Sequence, residues 1–224
     1  DIGCHSFATA APFNLGNTIM GYGLSLASSS GMRHALPHKA ISIMGDGGFW
    51  HNGLTSGVTS AVFNEHDGLL IVIDNGYSAA TGGQDIPSLV EPNLIATTLD
   101  ANQPKRESWQ TIEDACRGAG VKWIRTVSTY NIAAMKETLR SALTTDAPGL
   151  KVVVAEGECM LNRQRRVKPL IRQAVSEGRR VKRARFYIDP ETCTGDHGCI
   201  RLSGCPSLTI RENPDPLRSD PVSY

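Results

Sequence analysis

Two short runs early in the chain, Ala40-Ile41-Ser42-Ile43-Met44 and Leu69-Leu70-Ile71-Val72-Ile73, are apolar almost throughout and rich in β-branched residues. They lack the polar alternation of a strand with one wet face, so they predict strands buried on both faces of a parallel sheet. Asn52 to Glu65 can form the helix that crosses between them. The unit is then βαβ, and its ligands belong at the carboxyl ends of the strands. Further on, Ile112 to Gly118 has helical spacing, Val121 to Val127 reads as a strand, Ile132 to Thr144 as a helix and Leu150 to Glu156 as a last buried strand. This alternation predicts an α/β fold with a doubly wound, mostly parallel sheet. Leu15 to Gly31, with Leu15, Ile19, Tyr22 and Leu26 at helical intervals, predicts one more helix, packed behind the strand ends. Pro87 to Glu107 is polar, punctuated by proline and without period, as in loops that cover active sites.

The pattern changes after Glu156. Cys159 to Gly178 reads as a basic linker with a helix from Pro169 onwards, since proline is tolerated in a first turn. Arg183 to Tyr224 is rich in turn residues and poor in long apolar runs, so it cannot build a large core alone. Three regions follow: residues 1–157, a linker over 158–182 and a small unit over 183–224. The chain begins abruptly at Asp1-Ile2-Gly3-Cys4, which reads as the end of a strand and hence as part of a longer protein.

Chemistry-bearing residues fall where the first two runs end. One closes in Gly45-Asp46-Gly47-Gly48 and the other in Asp74-Asn75-Gly76-Tyr77, followed by a loop at Thr81-Gly82-Gly83-Gln84. Asp46 and Asn75 thereby offer a carboxylate and a carboxamide oxygen at one rim of the sheet. Mg²⁺ takes oxygen ligands in a tight octahedron and is commonly shared between carboxylates and phosphate oxygens, which suits a pyrophosphate. Gly45 and Gly47 would let the backbone turn sharply and approach a phosphate without a Cβ clash. Turn formation is the competing account of Asp46 and Asn75. Against it stand the spacing, both strands and the second loop, all present together. No Lys-Ser/Thr pair follows the glycines, which rules out a P-loop.

These motifs resemble the thiamine diphosphate-binding domain of the 2-oxoacid:ferredoxin oxidoreductases, in particular those that act on indolepyruvate. The resemblance implies that Mg²⁺ is held by the side chains of Asp46 and Asn75 and by the backbone carbonyl of Tyr77. It implies further that Gly45, Gly47, Gly48 and Thr81 contact the cofactor, and it puts Cys4 near the thiazolium ring, although a plain buried cysteine fits there nearly as well. Phe49-Trp50-His51 follows the phosphate turn and would begin the next helix, whose N-terminus favours anions. Cys4 and His51 are therefore the catalytic candidates, whereas His5 and His66 have no spaced partners. The implied reaction is oxidative decarboxylation of a 2-oxoacid, an arylpyruvate such as indolepyruvate, to an acyl-coenzyme A and CO₂, with electrons leaving for ferredoxin. The carboxylate that activates the aminopyrimidine ring has no counterpart here, so a further domain or second subunit should supply it within an oligomer. The rivals are a non-oxidative thiamine diphosphate-dependent decarboxylase or synthase, and a catalytically silent electron-transfer or scaffold fragment.

Cys193-Thr194-Gly195-Asp196-His197-Gly198-Cys199, ending at Cys205-Pro206, resembles half of a bacterial-type ferredoxin. In that pattern Cys193, Asp196, Cys199 and Cys205 are the iron–sulfur candidates. Two departures leave cluster type open between four-iron and three-iron: aspartate at the second position, and five residues between Cys199 and Cys205. His197, beside Gly198 in a tight loop, reads as solvent-facing, and zinc is the weaker metal because closed structural sites prefer Cys and His.

Composition narrows the partners. The 224 residues allow one substantial core and a small appendage, and with a net charge of +1 nothing in the overall balance argues for a nucleic-acid partner. The basic stretch from Arg163 to Arg185 reads as a solvated linker helix. With no export signal and no apolar run of membrane-spanning length, the expectation is a soluble cytoplasmic protein in which clustered cysteines bind metal and do not form disulfides.

Overall fold

The computed structural model describes residues 1–16, 18–32, 35, 37–80, 82–84, 86–88, 110–182, 188–203, 208–217 and 221–223. Four parallel strands form its main sheet: β1 (Ile41–Gly45), β2 (Leu69–Asp74), β3 (Trp123–Ser128) and β4 (Lys151–Glu156). Their order is β1-β2-β4-β3, so β2 and β4 are central. Centrality explains composition, because Lys151 to Ala155 are all buried and carry three consecutive valines. Each such side chain stabilises by about 1.5–3 kcal/mol relative to exposure.

The two faces of the pleat bury different helices. Leu70, Val72, Val152 and Val154 pack with Met44 against Leu26, Phe49, Val58, Ile112 and Cys116. Those residues come from α1 (Ser25–Met32), from the helical run after β1 and from α4 (Ile112–Gly118). On the other face Leu69 and Val153 pack with Ala142, Met135 and Leu139 of α5 (Ile132–Thr144). Helices on both faces make the sheet doubly wound, as expected from the alternation. Thr111 caps α4 and Asn131 caps α5, each through its side-chain oxygen.

Three expectations need correction. The helix expected over Leu15–Gly31 exists only as α1, from Ser25. Gly21 (φ 150°) and Gly23 (φ 77°) take conformations that a helix excludes, and Leu15 and Ile19 are 58% and 45% exposed. The crossover helix begins six residues before Asn52: α2 (Asp46–Gly48), a π-helical segment (Phe49–Val58) and α3 (Thr59–Phe63) run on without a break. Gly53 permits this, because a Cβ there would lie 2.6 Å from the sulfur of Met44 beneath it. The basic helix α6 spans Met160–Ser176 with Pro169 inside it. Glu158 pairs with Arg163 (3.7 Å) and Arg166 (2.8 Å) across the first turns, so helix formation starts well before the proline.

The chain divides into two compact units, Asp1–Leu170 and Ile171–Tyr224. The second contains α7 (Gly198–Ser203) and an antiparallel pair, β5 (Ile210–Arg211) with β6 (Val222–Ser223). Among its described residues only Val222 and Ser223 are buried, in keeping with a unit too small for a large core. The expected loop of Pro87–Glu107 lies outside the described residues from position 89 onwards. No described helix is long and apolar enough to cross a membrane.

Candidate cofactor site

Parallel pairing places the carboxyl ends of β1, β2 and β4 side by side; β2 and β4 end at an acid and β1 is followed by one. Gly45 pairs with Ile73 and Asp74 with Glu156, while Asp46 follows Gly45 directly. Gly45 is still extended (φ −79°, ψ 161°), and helix geometry begins at Asp46. The Asp46 carboxylate is 2% exposed and spans to the end of β2, where one oxygen accepts from the backbone N–H groups of Asn75 and Gly76 at 2.8 Å. Its other oxygen accepts from Gly47 N–H at 2.7 Å. Asn75 in turn accepts from Tyr77 N–H through Oδ1 at 3.1 Å. The carboxylate and the carboxamide that the sequence singled out are thus joined in one hydrogen-bonded corner.

Electrostatics there is one-sided. Burial pushes the Asp46 carboxyl upward, and the backbone N–H groups of Asn75, Gly47, Gly76 and Tyr77 hold it back. Asp74 is pushed to about 7, first by burial and then by the neighbouring charges of Asp46 and Glu156. Among the described residues none of these three acids forms an ion pair. Sequence reasoning missed Asp74 and Glu156. The available signal was that two apolar strands end in an acidic residue and a third is followed directly by one.

The glycines work differently from expectation. None of Gly45, Gly47 and Gly48 has a positive φ, and nothing lies near the position of a Cβ on Gly45. Gly47 and Gly48 are needed for close approach, since a Cβ would collide with the Tyr22 and Ser78 hydroxyls at Gly47 and with the Asp1 carboxylate at Gly48. Tyr22 and Ser78 hydrogen-bond to each other at 2.7 Å across this point. The loop after Tyr77 closes through Ser78 N–H to Gln84 O (3.2 Å) and Gly83 N–H to Ser78 O (3.0 Å).

His51 is exposed within the π-helical segment, its ring 5.2 Å from that of Tyr22. It stands well past the helix start at Asp46 and so does not begin that helix. Cys4 is exposed in a 3₁₀ turn, Cys4–Thr9, and is not the buried cysteine of the alternative reading. Thr81 and Cys205 lie outside the described residues.

In the second unit, Cys193 and Cys199 converge on Ser223. The backbone N–H of Ser223 donates to Cys193 Sγ (3.4 Å), and the Cys199 thiol donates to its hydroxyl (3.3 Å). Backbone N–H groups of Ser223 and Gly195 lower the Cys193 thiol from its ordinary range. Asp196 is engaged locally, accepting from the Thr194 hydroxyl (2.8 Å) and Gly198 N–H (3.3 Å). His197, with φ 55°, reaches the Ser223 hydroxyl at 3.0 Å, so it does not simply face solvent. Among the described residues no three His, Cys, Asp or Glu side chains stand together as a ready metal site.

An acidic rim at the carboxyl ends of a parallel sheet, with a helix starting at the buried Asp46, is where α/β domains bind phosphate-bearing ligands. Residues 1–154 match the family model described as thiamine pyrophosphate enzyme, C-terminal TPP binding domain, and the chain belongs to that family. It is 29% identical over 221 residues to the indolepyruvate oxidoreductase subunit IorA of Methanothermobacter thermautotrophicus, covering 97% of this chain and 31% of that protein. The IorA subunit of Archaeoglobus fulgidus is 31% identical over 210 residues, covering 93% of this chain and 30% of that protein. The chain therefore spans under a third of the length of these relatives. Among solved structures, 2-oxoglutarate:ferredoxin oxidoreductase from Magnetococcus marinus superposes with a TM-score of 0.52 at 17% identity, covering 62% of this chain and 46% of that one. That likeness concerns the fold alone.

Proposed function

We propose that this chain is the cofactor-holding part of a thiamine diphosphate-dependent oxidoreductase that decarboxylates 2-oxoacids, with arylpyruvates such as indolepyruvate as the substrate class. The observation that carries the reading is the rim of buried Asp46, half-buried Asp74 and exposed Glu156, acids that form no ion pair among the described residues. Such a rim fits Mg²⁺, whose charge would offset the burial and the neighbouring carboxylates that together push Asp74 up to about 7. Asp46 and Asn75 would hold the ion by their side-chain oxygens and Tyr77 by its carbonyl, while the first turn of α2 would direct N–H groups at the pyrophosphate. Bound there, thiamine diphosphate supplies the electron sink for loss of CO₂ from a 2-oxoacid.

The protein's own part is to position and exclude. Tyr77 is 4% exposed, and Trp50 is held by a hydrogen bond from its indole N–H to the Ser88 hydroxyl at 2.9 Å. Cys4 and His51 remain the candidates for contact with substrate, both being exposed. The domain boundaries after 157 and 182 belong to the same reading.

Cys193 and Cys199 fit an iron–sulfur site as thiolates, since N–H donors around the Cys193 sulfur favour the charged form. Such a site would carry electrons to ferredoxin. Asp196 fits it less well, being occupied by its own loop. Coenzyme A as acyl acceptor, a partner domain or subunit to complete the cofactor site, an oligomeric assembly and a cytoplasmic setting complete the proposal. The test is anaerobic assay of the full-length protein with its co-purifying subunits, reading CO₂ release and reduction of a low-potential dye. Indolepyruvate and phenylpyruvate should be turned over faster than 2-oxoglutarate, and Asp46→Ala should abolish all turnover. Equal turnover by the folded variant would refute the reading.

A further inference from the structure

Tyr77 has two ends with different duties. Its backbone belongs to the corner built on Asp46 and Asn75, whereas its phenol meets Gly83 of the loop that follows. The hydroxyl is fixed from two sides. Gly83, with φ 96°, passes so close that a Cβ would collide with the phenolic oxygen. From the other side Arg165, on α6 and 88 residues along the chain, donates from Nη1 to the same oxygen at 2.7 Å.

The choice of Arg165 is informative. Its neighbours Arg163 and Arg166 are both engaged by Glu158, a surface arrangement that contributes little. Arg165 forms no ion pair among the described residues and is instead spent on a buried, neutral hydroxyl. A hydrogen bond with a charged donor is about twice as strong as a neutral one, and this one restricts the ring of Tyr77 and with it the peptide that follows.

We infer that Arg165 is a positioning residue for the cofactor loop: it anchors the phenol of Tyr77 and so restrains the residue whose carbonyl would serve the metal. The affinity of the rim for Mg²⁺–thiamine diphosphate then depends on α6, the helix that leads into the second unit. This inference rests on the proposed identity of the rim and adds a residue that no motif at the strand ends contains.

The test uses the full-length protein with its co-purifying subunits and follows binding, not turnover. Thiamine diphosphate is titrated at fixed Mg²⁺, and Mg²⁺ at fixed thiamine diphosphate, by calorimetry, with unfolding temperature measured alongside. Arg165→Met and Tyr77→Phe should each weaken cofactor binding about tenfold and raise the half-saturating Mg²⁺ concentration in parallel. The double variant should be no weaker than either single one, and Arg165→Lys should recover part of the loss. If Arg165→Met does not fold, Tyr77→Phe carries the test, since it keeps the ring and removes only the acceptor. Unchanged affinities in folded variants, or losses that multiply in the double variant, would overturn the inference. Asp46→Ala separates the two levels. If it abolishes binding while the Arg165 and Tyr77 variants bind normally, only the anchoring role fails; if the wild-type protein does not bind the cofactor, the reading of the rim fails with it.

Discussion

The two ends of the central sheet carry comparable charge and handle it in opposite ways. At the amino end, Lys151 is fully buried at the start of β4, yet its ammonium meets the Asp67 carboxylate and donates to Gly149 O at 2.9 Å. Lys39 reaches Asp67 at 3.6 Å and Thr145 O at 3.0 Å. Desolvation tends to raise the Asp67 carboxyl, but its contacts with Lys151 and Lys39 outweigh that and leave it lowered. At the carboxyl end, Asp46, Asp74 and Glu156 gather with backbone N–H groups as their main compensation, and Asp74 rises to about 7. One charge cluster is thus closed by the protein's own counter-ions, whereas the other has none among the described residues; on the proposed reading Mg²⁺ would bring the missing positive charge there.

Breaking the closed end should cost the most stability. Asp67→Ala strands a fully buried ammonium and should destabilise the fold by about 3 kcal/mol in urea unfolding. Cofactor binding at the far rim should be unchanged. Loss of binding without loss of stability would mean that the two ends are not independent.

The open end should respond in the opposite direction. With its folded pKa near 7 against an ordinary 3.8, Asp74 retains a proton in the native state that the unfolded chain has released. Stability from this group is therefore greatest below about pH 4 and declines as pH rises to about 7. Asp74→Asn should flatten that decline and raise the unfolding temperature of the metal-free protein at pH 8 by a few degrees, about 2–4 °C per kcal/mol in a chain of this size. Saturating Mg²⁺ with thiamine diphosphate should shrink the difference between variant and wild type. A variant less stable than wild type at pH 8 would contradict the picture of an uncompensated rim.

The smallest effect serves as the control, at a helix cap that belongs to neither charge cluster. Thr111 caps α4 by accepting from Asp114 N–H at 3.0 Å, and Thr111→Ala should cost about 1 kcal/mol with no pH signature and no change in binding.

How much of this was legible depended on whether one stretch of chain carried the signal. The strands were readable because burial on both faces leaves runs of apolar, often β-branched residues, as in the middle of β2 and β4. The corner of Asp46 and Asn75 was readable from position alone, as both follow such runs. What failed was local propensity against tertiary demand: the apolar spacing of Leu15 to Leu26 looked helical, but Gly21 and Gly23 turn the chain to bring Gly23 N–H onto the Asp1 carboxylate at 2.6 Å. Gly45-Asp46-Gly47 looked like a turn and is the start of a helix. Lys151, in an otherwise apolar strand, gave no hint of its partner, because Asp67 approaches only once β2 and β4 pair. Strand order and the contact of Arg165 with Tyr77 were invisible for the same reason: both are properties of the assembled sheet and its flanking helix.

The most direct measurement of the central claim is a calorimetric titration of Mg²⁺ and thiamine diphosphate into the full-length protein, wild type beside Asp46→Ala. With the rim as the metal site, binding in the wild type should require Mg²⁺, and the variant, still folded by circular dichroism, should lose affinity by at least about a hundredfold. Equal binding by the two proteins, or binding that is indifferent to Mg²⁺, would show that the open acidic end of the sheet holds neither ion nor cofactor.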